Sequence, residues 1–188
     1  MSYDLYCYLP TSDIPNLNEA EALVEGFDEA EESEIAIETT SIRREAIVAA
    51  LLSHNPRLER FQFDYQKIAS SLGISETEAR ARYQHAELTP PEGDLAIQLT
   101  VHDDHVFIAI PYWYKGSRAD QLFVELSGYL KVIRESAGFF VFDPQTGTVW
   151  DPKKADLQDR SQYDRIVKDL PAMLSSGQKQ SKPWWRFW

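Results

Sequence analysis

Cysteine is nearly absent from this sequence: Cys7 is the only thiol, so no disulfide can form within the chain. Long apolar runs are missing too, and none approaches the ~20 residues that a membrane-spanning helix needs. The opening Met1-Ser2-Tyr3-Asp4-Leu5-Tyr6 has no basic region followed by an apolar stretch. No secretory signal is therefore expected, and cytoplasmic residence is the expected location. Positive charge is missing where it would be most noticeable. Between Met1 and Ile42 there are 11 Asp and Glu residues and no Lys or Arg. The remaining 19 acids are matched by all 19 bases, so the whole formal charge of −11 belongs to that opening stretch. A segment of this kind repels nucleic acid and attracts basic partners, although charge runs commonly serve as a solvated helix face.

What is present is enough apolar material for a core. Of 188 residues, 43% are hydrophobic and 12% aromatic, which suits a folded domain rather than a disordered chain. The alternating, tyrosine-rich run 2–9 predicts a strand. Helical spacing of Ala20, Leu23, Val24 and Phe27 predicts an acidic helix over 19–32, weakened at Gly26. A second helix is expected over 42–53, capped by Thr39, Thr40 or Ser41 and stopped at Asn55-Pro56, with Ile42, Ala46, Ala49, Ala50 and Leu51 or Leu52 as its apolar stripe. Residues 58–65 alternate around Phe61 and Phe63 and predict a strand. Two short helices broken at Gly73 follow over 67–83, with Ser75-Glu76-Thr77-Glu78 as a capping box.

The strongest strand patterns are 95–102 and 105–110, joined by a tight turn at Asp103-Asp104. Ser117-Arg118-Ala119-Asp120 resembles a capping box for a helix running to about Ser136. Its stripe is Leu122, Phe123, Leu126, Tyr129, Leu130 and Ile133, and Gly138 is placed to close it. Phe139–Phe142 and Thr148–Trp150 predict a hairpin around Asp143-Pro144-Gln145-Thr146-Gly147, and a last helix is expected over 163–174. Hairpins alternating with helices predict an α+β fold, a mainly antiparallel sheet with helices packed on one side. One domain over 1–176 is expected, including an acidic helical segment at about 19–38, with a basic aromatic tail over 177–188.

Catalytic signatures are missing as well. The sequence has no Gly-x-Ser-x-Gly elbow, no phosphate-binding loop and no dinucleotide fingerprint. His102-Asp103-Asp104-His105 brings two possible metal ligands across a turn. Zinc needs a third or fourth, and His54 and His85 are not recruited by any spacing, so a polar hairpin tip is the simpler reading. Asp143 and Asp151 flank a hairpin and would make a carboxylate pair, but each precedes a proline and favours turns. Cys7 reads as a small buried apolar residue. No cofactor, metal or catalytic residue is expected, while an enzyme with an unrecognised site near His102, His105 or Asp143 stays as an alternative.

Residues 67–83 resemble a DNA-binding helix-turn-helix, with Gly73 at the turn and Arg80 and Arg82 on the second helix. A strand rather than a helix precedes it, Glu76 and Glu78 sit where phosphates would lie, and the chain is acidic. A DNA-binding regulator is therefore the second alternative, and nucleic acid is not the expected partner.

Two aromatic groups remain. In Pro111-Tyr112-Trp113-Tyr114, alternation leaves at least one ring exposed, either as an interface anchor or as a seal on the core edge. The tail Trp184-Trp185-Arg186-Phe187-Trp188 holds three of the five tryptophans, including Trp184, Trp185 and Trp188. It suits docking on its own domain or on a protein partner. Contact with a membrane surface would be weak, because five residues after Pro183 are too few for an amphipathic helix.

The patches Met1-Ser2-Tyr3-Asp4-Leu5-Tyr6, Glu87-Leu88-Thr89, Ile97-Gln98-Leu99, Ile110-Pro111-Tyr112-Trp113 and Phe142-Asp143-Pro144-Gln145-Thr146-Gly147 resemble a family of small uncharacterised bacterial proteins. The resemblance spans 1–152 in patches and implies no activity. Its small, cytosolic character is similar to that of bacterial immunity proteins, which neutralise toxins by binding them. The resulting expectation is a non-enzymatic cytosolic binding protein with a basic protein partner. Its candidate contacts are Tyr112, Trp113, Tyr114, Glu25, Asp28, Glu29, Trp184, Trp185 and Trp188.

Overall fold

The computed structural model describes residues 2–12, 15–30, 42–154, 161 and 163–168, with the backbone alone at 27–30. The tail, the acidic residues 31–38 and the end of the expected last helix lie outside the described residues.

Seven strands form one antiparallel sheet in the order β2-β3-β4-β5-β1-β6-β7. They are β1 (Ser2–Tyr8), β2 (Glu59–Arg60), β3 (Ala86–Thr89), β4 (Gln98–Val101), β5 (His105–Pro111), β6 (Phe140–Asp143) and β7 (Thr148–Trp150). The helices are α1 (Leu17–Ala30), α2 (Ile42–His54), α3 (Tyr65–Leu72), α4 (Glu76–Arg82) and α5 (Ser117–Ala137), and residues 163–168 are also helical. The fold is α+β.

Strand alternation sorts side chains onto two faces. Tyr3, Leu5 and Cys7 of β1 point to the main core with Leu99, Val101, Val106, Ile108 and Ile110, under α2, α5 and Tyr163. Tyr6 and Tyr8 point the other way, where Ala20, Leu23 and Val24 of α1 cover them together with Phe140, Phe142 and Val149. The two helices that pack most closely on each other, α2 and α5, share one face, and α1 closes one end of the opposite face.

The expected stripe of α5 is buried in full, and Gly138 closes the helix at φ 77°, donating its N–H to the Arg134 carbonyl. Its start differs from expectation. The cap is Gly116 rather than Ser117, so the N-cap makes no side-chain hydrogen bond. The stripe of α2 is rotated. Arg44, Ile47, Val48 and Leu51 face inward, whereas Ala46 and Ala49 are exposed and Ile42 is 89% exposed. Arg44 turns in because Asp103 lies 3.3 Å from its guanidinium.

The strand expected over 58–65 shrinks to Glu59–Arg60, because Asp64 caps α3 by accepting from the Lys67 N–H and draws the chain away from the sheet. Its partner in the sheet is β3, a four-residue strand too short to stand out as a strand in the sequence. Leu95 and Ile97 remain buried, but regular pairing in β4 begins only at Gln98.

Candidate partner-binding site

The aromatic run after β5 alternates, as strand geometry requires. Tyr112 is buried, stacked on Tyr163 at 5.4 Å and edge-on to Tyr3 at 6.2 Å. Burial pushes its phenol up, and the carboxylates of Asp4 and Asp143 push it the same way. Trp113 is 67% exposed. Tyr114 is half-buried and acts as a staple. Its hydroxyl accepts from the Ala96 N–H at 2.8 Å and donates to the Asp94 carbonyl, while its own N–H reaches the Tyr163 hydroxyl at 3.3 Å. Tyr163 in turn donates to the Pro111 carbonyl at 2.7 Å. The backbone on both sides of Trp113 is thereby fixed, and the indole alone projects into solvent.

Beside this run lies an open depression of about 600 Å³, whose lining includes Asn55, Arg57, Asp94, Arg118, Val124 and Glu125. Arg118 donates to the Gly93 carbonyl at 2.9 Å and sits 6.0 Å from the Tyr114 ring, connecting the depression to the aromatic run. Arg57 pairs with Asp94 at 2.7 Å. At the inner end, the Tyr129 hydroxyl donates to Glu125 at 2.5 Å and accepts from the Asn55 amide at 2.7 Å. Val124 adds an exposed apolar group to the lining.

The acidic residues are elsewhere. Glu25 is exposed on α1, the backbone of Asp28 and Glu29 belongs to the same helix, and Trp184, Trp185 and Trp188 lie outside the described residues. Helix α1 covers Tyr6, Tyr8 and Phe142, whereas Trp113 leaves the sheet beyond Pro111, opposite Ser2 at the other end of β1. The structure therefore separates the acidic helix from the aromatic run instead of joining them into one surface. Glu19 is occupied locally. It accepts from the hydroxyls of Thr11 and Ser12 at 2.6 Å and from their backbone N–H groups, which holds its carboxyl down at about 2.

The other candidates resolve differently. Cys7 is fully buried, and burial pushes its thiol well up, out of the reactive range. Asp143 accepts from the Tyr3 hydroxyl and from the Gln145 and Thr146 N–H groups, whereas Asp151 pairs with Arg134, so the two carboxylates serve separate partners. The His102–His105 turn forms as expected, with a 2.9 Å backbone bond, but the rings stack at 4.1 Å and 12°. Stacked rings show each other faces rather than lone pairs. Among the described residues no group of three or more His, Cys, Asp or Glu side chains is placed to hold a metal. His85 joins this row at 5.0 Å from His102, a neighbour that sequence spacing missed because β3 was missed. The pattern of Ala86 and Leu88 between polar residues was the available signal.

The helix-turn-helix segment does form two helices around Gly73, but its two arginines are engaged. Arg80 pairs with Glu76 at 2.8 Å and lies over the Tyr65 ring, and Arg82 pairs with Glu78 at 2.7 Å. No helix among the described residues is long and apolar enough to cross a membrane. In comparisons with known proteins, no family model, no curated sequence and no solved structure matches the chain.

Proposed function

We propose that this chain is a protein-binding module whose contact surface centres on Trp113, flanked by Tyr114, Arg118 and Val124. The observation that carries the reading is the 67% exposure of Trp113 between two tyrosines that the fold ties down. An indole held out on a fixed backbone loses little freedom on binding. Trp, Tyr and Arg are also the residue types that dominate interface energetics. The concrete form of the proposal is a cytoplasmic inhibitor of the bacterial immunity type, which binds a basic toxin and encounters it through the acidic N-terminal stretch of the chain. Its support is the −11 charge, concentrated in the first 42 residues.

The test is affinity capture from the native host with three baits: the parent chain, Trp113→Ala, and Phe61→Ala as a control at a second exposed ring. The expected result is a partner held by the parent and by the control, with affinity for Trp113→Ala reduced at least tenfold. If all three baits retain the same proteins equally, the reading fails. Replacing Glu21 and Glu25 with glutamine should slow association and weaken its salt dependence. An unchanged salt dependence rejects the electrostatic part alone.

A further inference from the structure

The helices α3 and α4 pack chiefly on each other and have few contacts with the rest of the chain. What joins them to the sheet is a run of rings. Phe63, just before α3, meets His85 edge-on at 5.1 Å and Tyr83 at 5.8 Å, and Tyr83 is the residue that ends α4. His85 lies against His102 at 5.0 Å with its ring tilted by 31°, and His102 stacks on His105 at 4.1 Å. The row lies on the sheet face opposite the main core, since Ala86, Val101 and Val106 beside its three members all point into that core.

His102 is the middle ring, with an imidazole on either side. The charged and titratable groups around it come from every neighbouring element. Glu87 of β3 lies 3.2 Å from His85 Nε2, and Asp104 lies 2.7 Å from His105 Nδ1. Asp103 at the turn pairs with Arg44 of α2. Tyr8 of β1 is in register with His105, and Tyr83 stands at the end of α4. Both carboxylates of the row thus engage the outer rings.

We propose that this histidine row is an acid-released clasp, which holds the α3–α4 pair on the sheet at neutral pH and frees it on acidification while α2, α5 and the sheet stay folded. With no proton on the middle ring, the closely packed rings attract one another as flat, weakly polar groups. A proton on the middle ring would sit desolvated between two others. Burial, then the neighbouring His105 and His85, hold His102 down at about 2, whereas a released histidine takes its proton near 6.5. The proton therefore favours the released form. Each pH unit below about 6.5 shifts the equilibrium toward release by up to tenfold. A helical pair with few other contacts is the element that such a shift moves first.

The experiment is amide hydrogen exchange on the full chain at pH 7.5, 6.0 and 5.0, corrected for intrinsic exchange. Protection over 65–82 is expected to fall by about tenfold per unit below 6.5 while α5 keeps its protection. His102→Phe, which keeps a flat ring but cannot titrate, is expected to abolish that fall. Three results would overturn the proposal: protection over 65–82 that does not change with pH, protection lost in step with α5, or parent and variant losing it alike. Should His102→Phe not fold, ring-proton NMR of the parent decides. The His102 signal must titrate with the midpoint at which 65–82 loses protection, and a separate midpoint rejects the clasp.

Discussion

Arg134 and Asp151 form a two-pronged ion pair, Nε to Oδ1 at 2.8 Å and Nη2 to Oδ2 at 3.2 Å. Arg134 belongs to the last turn of α5 and also lies 4.4 Å from the centre of the Phe140 ring. The pair thus joins the end of the longest helix to the residue that follows β7. Both side chains are mostly buried, at 20% and 9% exposure. The Arg134 guanidinium holds the Asp151 carboxyl below the usual carboxylate range.

Asp151→Asn should therefore lower stability by about 2 kcal/mol at pH 7, since a charge-assisted bond is lost and a mostly buried guanidinium is left behind. The pH dependence has a definite sign. A carboxyl with a depressed folded pKa contributes its stability above the unfolded value near 3.9, and that contribution is lost as pH falls through the folded value. Urea unfolding of parent and variant should differ at pH 7 and converge once the pH has fallen through the folded value, below the ordinary carboxylate range. Curves that keep their separation in acid would show that the side chain acts through packing rather than charge.

Gly138 and Gly26 should respond to alanine in opposite directions. Gly138 sits at φ 77°, where a Cβ is strained, and closes α5. Gly26 lies inside α1 at ordinary helical angles, and nothing stands within 4 Å of where a Cβ would go. Gly138→Ala is expected to cost about 1 kcal/mol and Gly26→Ala to gain up to about 1 kcal/mol. For a chain of this size each corresponds to about 2–4 °C, so thermal melts of the two variants should move to opposite sides of the parent. A loss for Gly26→Ala would mean that the exposed side of α1 has a neighbour.

The elements legible in the sequence were the long, uninterrupted ones. The stripe of α5 repeats over about three turns, and the β4–β5 hairpin alternates on both arms, so local spacing alone locates them. β3 was not legible. Ala86-Glu87-Leu88-Thr89 is four residues with two apolar positions, and its strand form rests on pairing with β4 and β2. Missing β3 also hid His85 from the histidine row. The rotation of α2 has the same kind of cause. Arg44 turns inward toward Asp103, some sixty residues along the chain, and no local rule reports that contact. At the candidate site, alternation showed that some ring after Pro111 must face out. Which one depended on Tyr163, whose stacking takes Tyr112 inside.

That last assignment yields the sharpest contrast between neighbours. Tyr112 is buried against Tyr163 and Tyr3, whereas Trp113 meets mainly solvent, with the tilted Tyr114 ring 6.0 Å away. Tyr112→Ala removes a fully packed ring and should cost about 3–5 kcal/mol, because the rigid sheet end and the 163–168 helix cannot both collapse into the space. Trp113→Ala removes a ring with little to lose and should stay within about 0.5 kcal/mol of the parent. Urea unfolding of the two variants measures this directly. The comparison also guards the binding test: a Trp113→Ala protein as stable as the parent makes any lost capture a property of the surface and not of the fold. If Trp113→Ala instead proves as damaging as Tyr112→Ala, the indole is covered in solution, and the proposed contact surface is already occupied by the chain itself.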